Sequence, residues 1–440
     1  MTSTPVRAFF RSSRCLLLLP GFILAVAGPA MSQDSTLAPK LRALKGVTEV
    51  KVLAPLKGFA ESYELRIRQP LDHQRADGSV FLQRVYISHR GTDRPIVLET
   101  EGYAAMANHP TELAAILKSN QVIVEHRYFG TSRPDSLQWE YLTLRQSADD
   151  LHAVVQSLKS VYTGKWVSTG ASKGGQTTLV YRYFYPADVD ASVPYVAPVP
   201  LAQEDPRVLT FLSTVGDSAC RARIKAYQVR MLRDEAGHIR RLEEFAKATG
   251  LKFSITIPVA YEYAVLEYPF AFWQYGTSAC GSIPGSEAAD STAFDHLAKV
   301  VGFYLFSDAG VGFFGPFYYQ AYTELGYYRY DITDFRGLLK TVKDATNRIF
   351  VPAGASVTYH CESMQNLNRW LQTKGDRIIY LYGETDTWTA CAVQLTGQAD
   401  ALKFINKGGP HGSRIRDLAP EQMEKLTAAL ERWLAMTIER

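Results

Sequence analysis

The sequence predicts an α/β protein whose mostly parallel sheet is covered by helices. Short apolar runs bounded by turn residues alternate with helical patterns along much of the chain. Strands that are apolar on both faces are typical of parallel sheets packed between helices. We expect strands at residues 62–69, 80–87, 95–100, 121–126, 166–170, 192–196, 377–383 and 402–407.

The composition of the 440 residues is that of a folded globular protein. Hydrophobic residues make up 46% and charged residues 21%, which excludes disorder, collagen and coiled coil as its main character. Three arginines in residues 1–30 supply most of the net charge of +4, so the rest of the chain is nearly neutral. Because nucleic acids select strongly basic surfaces, no nucleic-acid partner is predicted.

Two helices have recognisable starting signals. Thr143 and Gln146 form a capping-box pattern ahead of a helix at 143–159, whose apolar residues fall on one face. A second amphipathic helix begins at Pro420 and runs to about residue 438, with proline in the first turn where it is tolerated.

The strand–helix alternation stops between residues 203 and 353. Amphipathic stretches and clusters of aromatic residues take its place. We therefore predict a large, mainly helical cap insertion at 203–353. It divides the sheet domain into a first part at 31–202, which holds the candidate nucleophile, and a second part at 354–440.

Residues 1–30 are predicted to be a secretory signal peptide. Three arginines precede an apolar run at 15–27, and small residues follow it. This run is shorter than the roughly 20 residues that a membrane span needs, and a retained anchor is the alternative. We expect a secreted or periplasmic protein with no stable membrane span after signal removal.

Four cysteines lie outside the predicted signal peptide. An even number in an exported protein predicts two disulfides. Three pairings are possible, and proximity in the sequence favours Cys220–Cys280 and Cys361–Cys391. Four free thiols are the alternative.

The segment 170–174 reads Gly-Ala-Ser-Lys-Gly and places Ser172 between a predicted strand and a predicted helix. This is the Gly-x-Ser-x-Gly pattern of a nucleophile elbow, in which a sharp turn exposes the serine hydroxyl at the end of a strand. The pentapeptide alone is weak evidence for a nucleophile, and the strand–turn–helix context strengthens that evidence. We predict that Ser172 is a nucleophile; an ordinary strand-to-helix turn is the alternative.

A nucleophilic serine needs a base, and the base needs an acid that orients it. In this architecture the chain order is serine, acid, histidine. His411 lies in a loop after the last predicted strand, where catalytic groups collect, whereas His360 follows no convincing strand. Asp386 follows the strand at 377–383, with Glu384 as the alternative. We predict His411 as the base and Asp386 as the acid.

The backbone N–H groups of Lys173 and Tyr103 are predicted to form the oxyanion hole. Lys173 directly follows the nucleophile, and Tyr103 lies in the loop after the third predicted strand. Gly102 would allow that backbone to approach closely. We expect the Lys173 side chain to point to solvent or to pair with a nearby acid.

Four segments resemble the secreted bacterial prolyl tripeptidyl aminopeptidases, which are serine peptidases of the α/β-hydrolase fold. Gly-Ala-Ser-Lys-Gly-Gly at 170–175 is more specific than the bare pentapeptide. Glu-His-Arg-Tyr-Phe-Gly at 125–130 is also similar to the more distant lysosomal prolyl carboxypeptidases. The four segments span most of the mature chain and lie at 72–84, 124–134, 170–198 and 382–388.

The resemblance implies an α/β-hydrolase fold, which we expect as a mostly parallel eight-stranded sheet with the large cap insertion. It implies Ser172, Asp386 and His411 as the catalytic triad. It also implies the release of tripeptides after proline from a free N-terminus. Thr387 departs from the family pattern, in which proline follows the acid; this alters the loop but leaves the acid in place.

An exopeptidase needs a carboxylate for the substrate's ammonium group and a wall that stops longer chains. Glu204 and Asp205, at the start of the insertion, are candidates for the carboxylate; an exposed pair of loop acids is the alternative. Phe270 and Trp273 are candidates for the aromatic wall of a proline pocket, with plain core packing as the alternative.

Two other functions are compatible with this sequence. An esterase or lipase would use the same triad, and a non-catalytic binding protein would keep the same scaffold. The sequence has no zinc-ligand spacing, phosphate loop or dinucleotide fingerprint, so we predict no metal and no cofactor. The predicted partners are peptide substrates, and the oligomeric state is left open.

Overall fold

Within residues 37–75 and 78–439, which the computed structural model describes, nine strands form one sheet. The predicted signal peptide lies outside the described residues. The strands are β1 (Val47–Leu53), β2 (Glu61–Pro70), β3 (Val80–His89), β4 (Ile96–Thr100), β5 (Asn120–Val124), β6 (Trp166–Ala171), β7 (Ala191–Tyr195), β8 (Ile378–Gly383) and β9 (Ala401–Asn406).

The sheet is antiparallel at one end and parallel over the rest. Its strand order is β1-β2-β3-β5-β4-β6-β7-β8-β9. The pairs β1–β2, β2–β3 and β3–β5 are antiparallel, and each pair from β5–β4 to β8–β9 is parallel. This is the α/β-hydrolase fold, and the predicted fold class is confirmed.

The number of strands is one more than predicted. All eight predicted strands are present, and the additional one is β1, at the edge of the sheet. None of its side chains is buried, and a register shift between Val47 and Glu49 interrupts its pairing with β2. Because no face of β1 is buried, its sequence carries no clean alternation of apolar and polar residues.

The α3 helix shows how local sequence sets an element's start. Its N-cap Thr143 accepts a hydrogen bond from the Gln146 N–H at 3.1 Å, as predicted. The Gln146 side chain does not complete the capping box; it bonds instead to the backbone N–H of His73 and the carboxylate of Asp72. The helices of the described residues are α1 (Leu37–Arg42), α2 (Glu112–Ile116), α3 (Leu144–Leu158), α4 (Lys173–Phe184), α5 (Arg207–Thr214), α6 (Ser218–Arg233), α7 (Glu235–Thr249), α8 (Ile257–Tyr275), α9 (Asp290–Val300), α10 (Asp308–Gln320), α11 (Glu362–Thr373) and α12 (Pro420–Leu434).

Helices α5 to α10 all lie between β7 and β8 in the chain. The domain boundaries at 202 and 353 stay a prediction. No helix within the described part of the chain is long and apolar enough to cross a membrane.

The α8 helix continues through an internal proline. Pro269 has no N–H to give to the Val265 carbonyl one turn earlier. The side-chain amide of Gln228, on α6, donates to that carbonyl at 2.8 Å. A neighbouring helix therefore satisfies the group that the proline leaves free, and α8 extends to Tyr275.

One of the two predicted disulfides is present. Cys220 and Cys280 are bonded, with their Cα atoms 5.5 Å apart, and join α6 to the 3₁₀ turn at 280–282. Cys361 and Cys391 are free, so the second predicted pairing is wrong. Cys361 is exposed at the start of α11, whereas Cys391 is fully buried and its thiol bonds to the Asp205 carboxylate. Proximity in sequence failed here because the two side chains lie in different environments.

Removing the Cys220–Cys280 bond is expected to lower the free energy of unfolding by about 4 kcal/mol, because it closes a loop with a sequence separation of 60 residues. The measurement is urea unfolding of the Cys220→Ser/Cys280→Ser variant. Cys361→Ser is the matched control and should unfold like the parent, since its thiol is exposed. Equal losses in the two variants would contradict this assignment.

Candidate active site

Ser172 occupies a sharp turn between β6 and α4. Its backbone has φ 57° and ψ −122°, a conformation that is strained for a residue with a side chain. The Ser172 N–H donates to the Tyr195 carbonyl at 2.9 Å, which ties the turn to β7. A Cβ on Gly170 would lie 2.5 Å from the Gly174 carbonyl oxygen, and one on Gly174 would lie 2.6 Å from that of Thr100. The glycines of the motif are therefore required for this turn to close.

Asp386 and His411 meet at the same edge of the sheet as Ser172. Asp386 follows β8 and His411 follows β9, and the carboxyl ends of these parallel strands lie beside that of β7. His411 Nδ1 donates to Asp386 Oδ2 at 2.7 Å. Asp386 is 0% exposed, and its other oxygen accepts from the Trp388 N–H at 3.1 Å.

The other ring nitrogen of His411 is available for a proton. Its Nε2 is buried and has no hydrogen-bond partner among the residues that the structure describes. Because Nδ1 is held by Asp386, Nε2 is the atom that can accept a proton from a nucleophile. In free enzymes such catalytic contacts are often long and tighten when substrate binds.

The alternative residues lie elsewhere. Glu384 accepts from the Gly408 N–H at 2.7 Å and is directed into that exposed turn. His360 is 56% exposed and lies 3.4 Å from Glu362. Thr387, the departure from the family pattern, is buried and donates to the Phe270 carbonyl at 3.1 Å, so it anchors the loop of Asp386 to α8.

A cavity of about 100 Å³ opens beside the nucleophile. Ser172, Lys173 and Tyr103 line it together with Phe270 and several other aromatic residues. Asp386 and His411 do not line it, but each contacts a residue that does. The Asp386 carboxylate bonds to Trp388, and the His411 N–H donates to the Gln274 carbonyl at 2.8 Å.

The two predicted oxyanion-hole segments lie in contact. A Cβ on Gly102 would lie 2.6 Å from the Gly174 nitrogen and from Lys173 backbone and side-chain atoms. The Tyr103 carbonyl accepts from the His126 N–H at 3.1 Å, and the Ala105 N–H donates to the Glu125 carboxylate at 3.0 Å. Residues 125 and 126 of the family-like segment therefore hold the loop that carries Tyr103.

Both candidate oxyanion donors are free to bind a ligand. Neither the Tyr103 N–H nor the Lys173 N–H has a hydrogen-bond partner within residues 37–75 and 78–439. Two unpartnered N–H groups beside a nucleophile can stabilise the negative oxygen of a tetrahedral intermediate. This arrangement suits acyl transfer.

Gly102→Ala is expected to lower kcat by about 100-fold, which is the effect of losing one oxyanion donor. The added methyl group would push the Tyr103 loop away from the nucleophile turn, because that space is filled by backbone. The measurement is kcat on a peptide amide. Gly337→Ala is the control, since its Cβ would meet no atom within 4 Å. Unchanged turnover in Gly102→Ala would contradict the predicted role of this loop.

The predicted environment of the Lys173 side chain is wrong. Lys173 is 3% exposed and has no acidic partner among the described residues. Its Nζ lies 3.3 Å from Nε2 of His126 and packs over the rings of Tyr103 and Phe129. The His126 Nδ1 donates to the Arg127 carbonyl at 2.8 Å, so Nε2 is the accepting nitrogen.

Burial favours the neutral forms of Lys173 and His126. It lowers the pKa of Lys173 well below its ordinary value. Burial also lowers the pKa of His126 well below its ordinary value, and the nearby lysine lowers it further. Both groups are therefore driven towards their neutral forms, in which the lysine amine donates to the imidazole.

Glu204 and Asp205 do not line the cavity. The Glu204 carboxylate pairs with Arg329 at 3.2 Å and also accepts from the Thr346 hydroxyl. Asp205 is buried and accepts from the Arg207 guanidinium at 2.7 Å and the Leu201 N–H at 2.8 Å. Burial alone would raise the pKa of Asp205, but these bonds hold it below its ordinary value. Both acids are occupied by partners within the chain.

Of the two aromatic candidates for the proline pocket, only Phe270 lines the cavity beside Ser172. Phe270 lines the cavity beside Ser172 and stacks on Tyr328 with ring centres 4.0 Å apart. Trp273 instead lines a neighbouring cavity and packs against Gly216, where its ring fills the space of a Cβ.

Glu267 is a cavity-lining acid that the sequence reasoning missed. It lies on α8, three residues before Phe270, and is 4% exposed. A signal was available, because Glu262 and Glu267 are the only charged residues in the mostly apolar stretch 257–275. A charged residue that is buried in a mostly apolar helix needs a specific partner.

The sheet, the nucleophile turn and the Asp386–His411 pair define an α/β hydrolase equipped for serine-based chemistry. The chain belongs to the PS-10 peptidase S37 family, whose model matches residues 37–439, and is therefore a serine peptidase.

Several curated proteins are similar to this chain. Prolyl tri/tetrapeptidyl aminopeptidase of Streptomyces mobaraensis is 35% identical over 376 residues, which cover 83% of this chain and 78% of that protein. Lysosomal Pro-X carboxypeptidase of Mus musculus is 28% identical over 208 residues, 42% of this chain and 41% of that protein. Among solved structures, proline iminopeptidase of Mycobacterium smegmatis is 14% identical, has a TM-score of 0.38, and covers 84% of this chain and 97% of that chain.

Proposed function

We propose that the protein is an exported serine exopeptidase that releases tripeptides, preferentially after proline, from free N-termini through an acyl-enzyme intermediate. The observation that carries the proposal is the 35% identity to a prolyl tri/tetrapeptidyl aminopeptidase over 83% of the chain. The cavity beside Ser172 supports it, because its aromatic lining suits a proline ring. The Cys220–Cys280 disulfide supports export to an oxidising compartment.

In the proposed mechanism the Ser172 hydroxyl attacks the carbonyl carbon of the scissile bond. His411 Nε2 takes the hydroxyl proton, while Asp386 holds the ring and stabilises its positive charge. The N–H groups of Tyr103 and Lys173 bind the oxyanion. The tetrahedral intermediate then collapses, and the C–N bond breaks as His411 gives its proton to the leaving amine.

The acyl-enzyme is then released by water. His411 removes a proton from the water as it attacks the ester carbon, and the same two N–H groups bind the second oxyanion. When this intermediate collapses, the proton returns to the Ser172 oxygen. The free tripeptide leaves with a new carboxylate.

The test is hydrolysis of an N-terminally free Xaa-Xaa-Pro chromogenic amide by the purified mature protein. Its N-blocked form, a short acyl ester and the Ser172→Ala variant are run beside it. The proposal predicts cleavage of the free amide only, with no cleavage by the variant. Ester cleavage without amide cleavage would move the assignment to an esterase.

A further inference from the structure

Glu267 is a carboxylate placed in the nucleophile's cavity without a cation. Its Oε2 accepts hydrogen bonds from the hydroxyls of both Tyr328 and Tyr330, each at 2.7 Å. Its Oε1 accepts no hydrogen bond within the described residues. The side chain is almost fully buried, yet it lines the same cavity as Ser172.

The surroundings of Glu267 contain no compensating positive charge. No arginine, lysine or histidine of the described chain pairs with it. Lys173 lines the same cavity, but its amine is directed at His126. Buried carboxylates are normally paired, since an isolated one is costly in a medium of low dielectric constant. The titratable groups that feel the charge of Glu267 are tyrosines, at positions 275, 318, 327, 328 and 330. Of these, Tyr328 and Tyr330 donate hydrogen bonds to it.

Burial raises the pKa of Glu267 to about 7, although the two tyrosine hydroxyls oppose this shift. The group therefore changes charge near neutral pH in the free enzyme. A cation that enters the cavity would favour the ionised form.

We propose that Glu267 is the residue that binds the substrate's α-ammonium group, through Oε1, while Tyr328 and Tyr330 hold Oε2. This inference rests on the proposed exopeptidase function, and it names the recognition site for the free N-terminus. A free peptide supplies the one cation that the cavity lacks, and an N-blocked peptide does not. The carboxylate thus distinguishes a chain end from an internal segment.

The same reasoning separates Glu267 from the acids that the sequence suggested. Glu204 and Asp205 already pair with Arg329 and Arg207. Neither has an oxygen directed into the cavity of Ser172. An ammonium group would have to displace an existing ion pair at Glu204 or Asp205. At Glu267 it would instead donate to Oε1, which accepts no other hydrogen bond within the described residues.

The first experiment compares the parent, Glu267→Gln and Glu204→Gln on the free Xaa-Xaa-Pro amide. Glutamine can still accept from both tyrosines but carries no charge. We expect Glu267→Gln to lower kcat/KM by about 100-fold, mainly through KM, since a charge-assisted hydrogen bond is lost. Glu204→Gln should behave like the parent. The rate of Ser172 labelling by a small fluorophosphonate, which has no ammonium group, should be the same in all three.

The second experiment measures the pH dependence of kcat/KM divided by the labelling rate. The division removes any pH dependence of the reactivity of Ser172 itself. Between about pH 5.5 and 7.5 the substrate amine stays largely charged. The ratio should fall in the parent as the pH drops through about 7, because Glu267 is then protonated. It should be flat in Glu267→Gln. Tyr330→Phe removes one hydrogen bond that favours the ionised form, so it should move the fall to higher pH.

Three results would overturn the inference. The first is an unchanged kcat/KM in Glu267→Gln. The second is a loss of kcat/KM in Glu204→Gln that equals or exceeds the loss in Glu267→Gln. The third is a fall of the ratio at the same pH in Tyr330→Phe as in the parent. If Glu267→Gln also slows the labelling of Ser172, the substitution has disturbed the nucleophile itself. The pH dependence of Tyr330→Phe then decides whether the inference stands. A parent enzyme that cleaves free and blocked amides equally would instead overturn the proposed exopeptidase function.

Discussion

Ser172→Ala is expected to lower kcat on the free Xaa-Xaa-Pro amide by about 10⁴- to 10⁶-fold, because the hydroxyl that forms the acyl-enzyme is removed. Alanine differs from serine only in lacking the hydroxyl, so it places the same Cβ on the turn and leaves the backbone conformation unchanged. We expect the fold and the thermal unfolding temperature to be unchanged. Residual activity would come from the oxyanion donors and substrate binding alone.

This prediction has two readouts. Turnover is measured with the amide, and covalent modification is measured as a mass increase after treatment with a fluorophosphonate. Ser160→Ala, on the exposed surface beyond α3, is the matched control and should keep both. A Ser172→Ala protein that still turns over the amide or takes up the label would place the nucleophile elsewhere.

Asp386→Asn should lower kcat by about 10⁴-fold. The asparagine can place its amide NH₂ against His411 Nδ1, which then becomes an acceptor, so the ring proton moves to Nε2. That tautomer has no lone pair with which to receive the serine proton. The Trp388 N–H can still bond to the remaining oxygen, and the loop should keep its shape.

The control for this variant is Glu384→Gln, two residues earlier in the same loop. Glu384 bonds to the Gly408 N–H and not to His411, so kcat should change little. A loss in Glu384→Gln with near-normal kcat in Asp386→Asn would reverse the assignment of the acid. Differential scanning calorimetry of both variants would verify that each is folded.

Local patterns were sufficient for eight of the nine strands and for the nucleophile turn. The eight predicted strands stand out as apolar or alternating runs between turn residues, and the glycines at 170 and 174 are spaced for one sharp turn. The positions of Asp386 and His411 followed from the rule that loops at the carboxyl ends of neighbouring strands meet. These inferences need only short segments and the topology of the fold.

The features that escaped prediction depend on partners distant in the chain. Lys173 is buried because His126 and aromatic rings from other loops surround it. Cys391 is free because its thiol is enclosed by the fold and bonded to Asp205. Glu267 lies in a run of apolar residues, and its importance appears only when Tyr328 and Tyr330 are brought against it. The contacts of Lys173 and Cys391 leave no local pattern, whereas the acids inside the apolar stretch 257–275 were a local signal for Glu267.

The contacts of α8 bear on how this enzyme can evolve. One face of a single helix supplies the Phe270 carbonyl to Thr387, the Gln274 carbonyl to His411, and the Glu267 side chain to the cavity. Recombination that replaced this region as a unit would remove anchors of the catalytic loops together with the old specificity. Single substitutions on α8 that leave its backbone in place would keep both carbonyl anchors while changing the side chains that line the cavity.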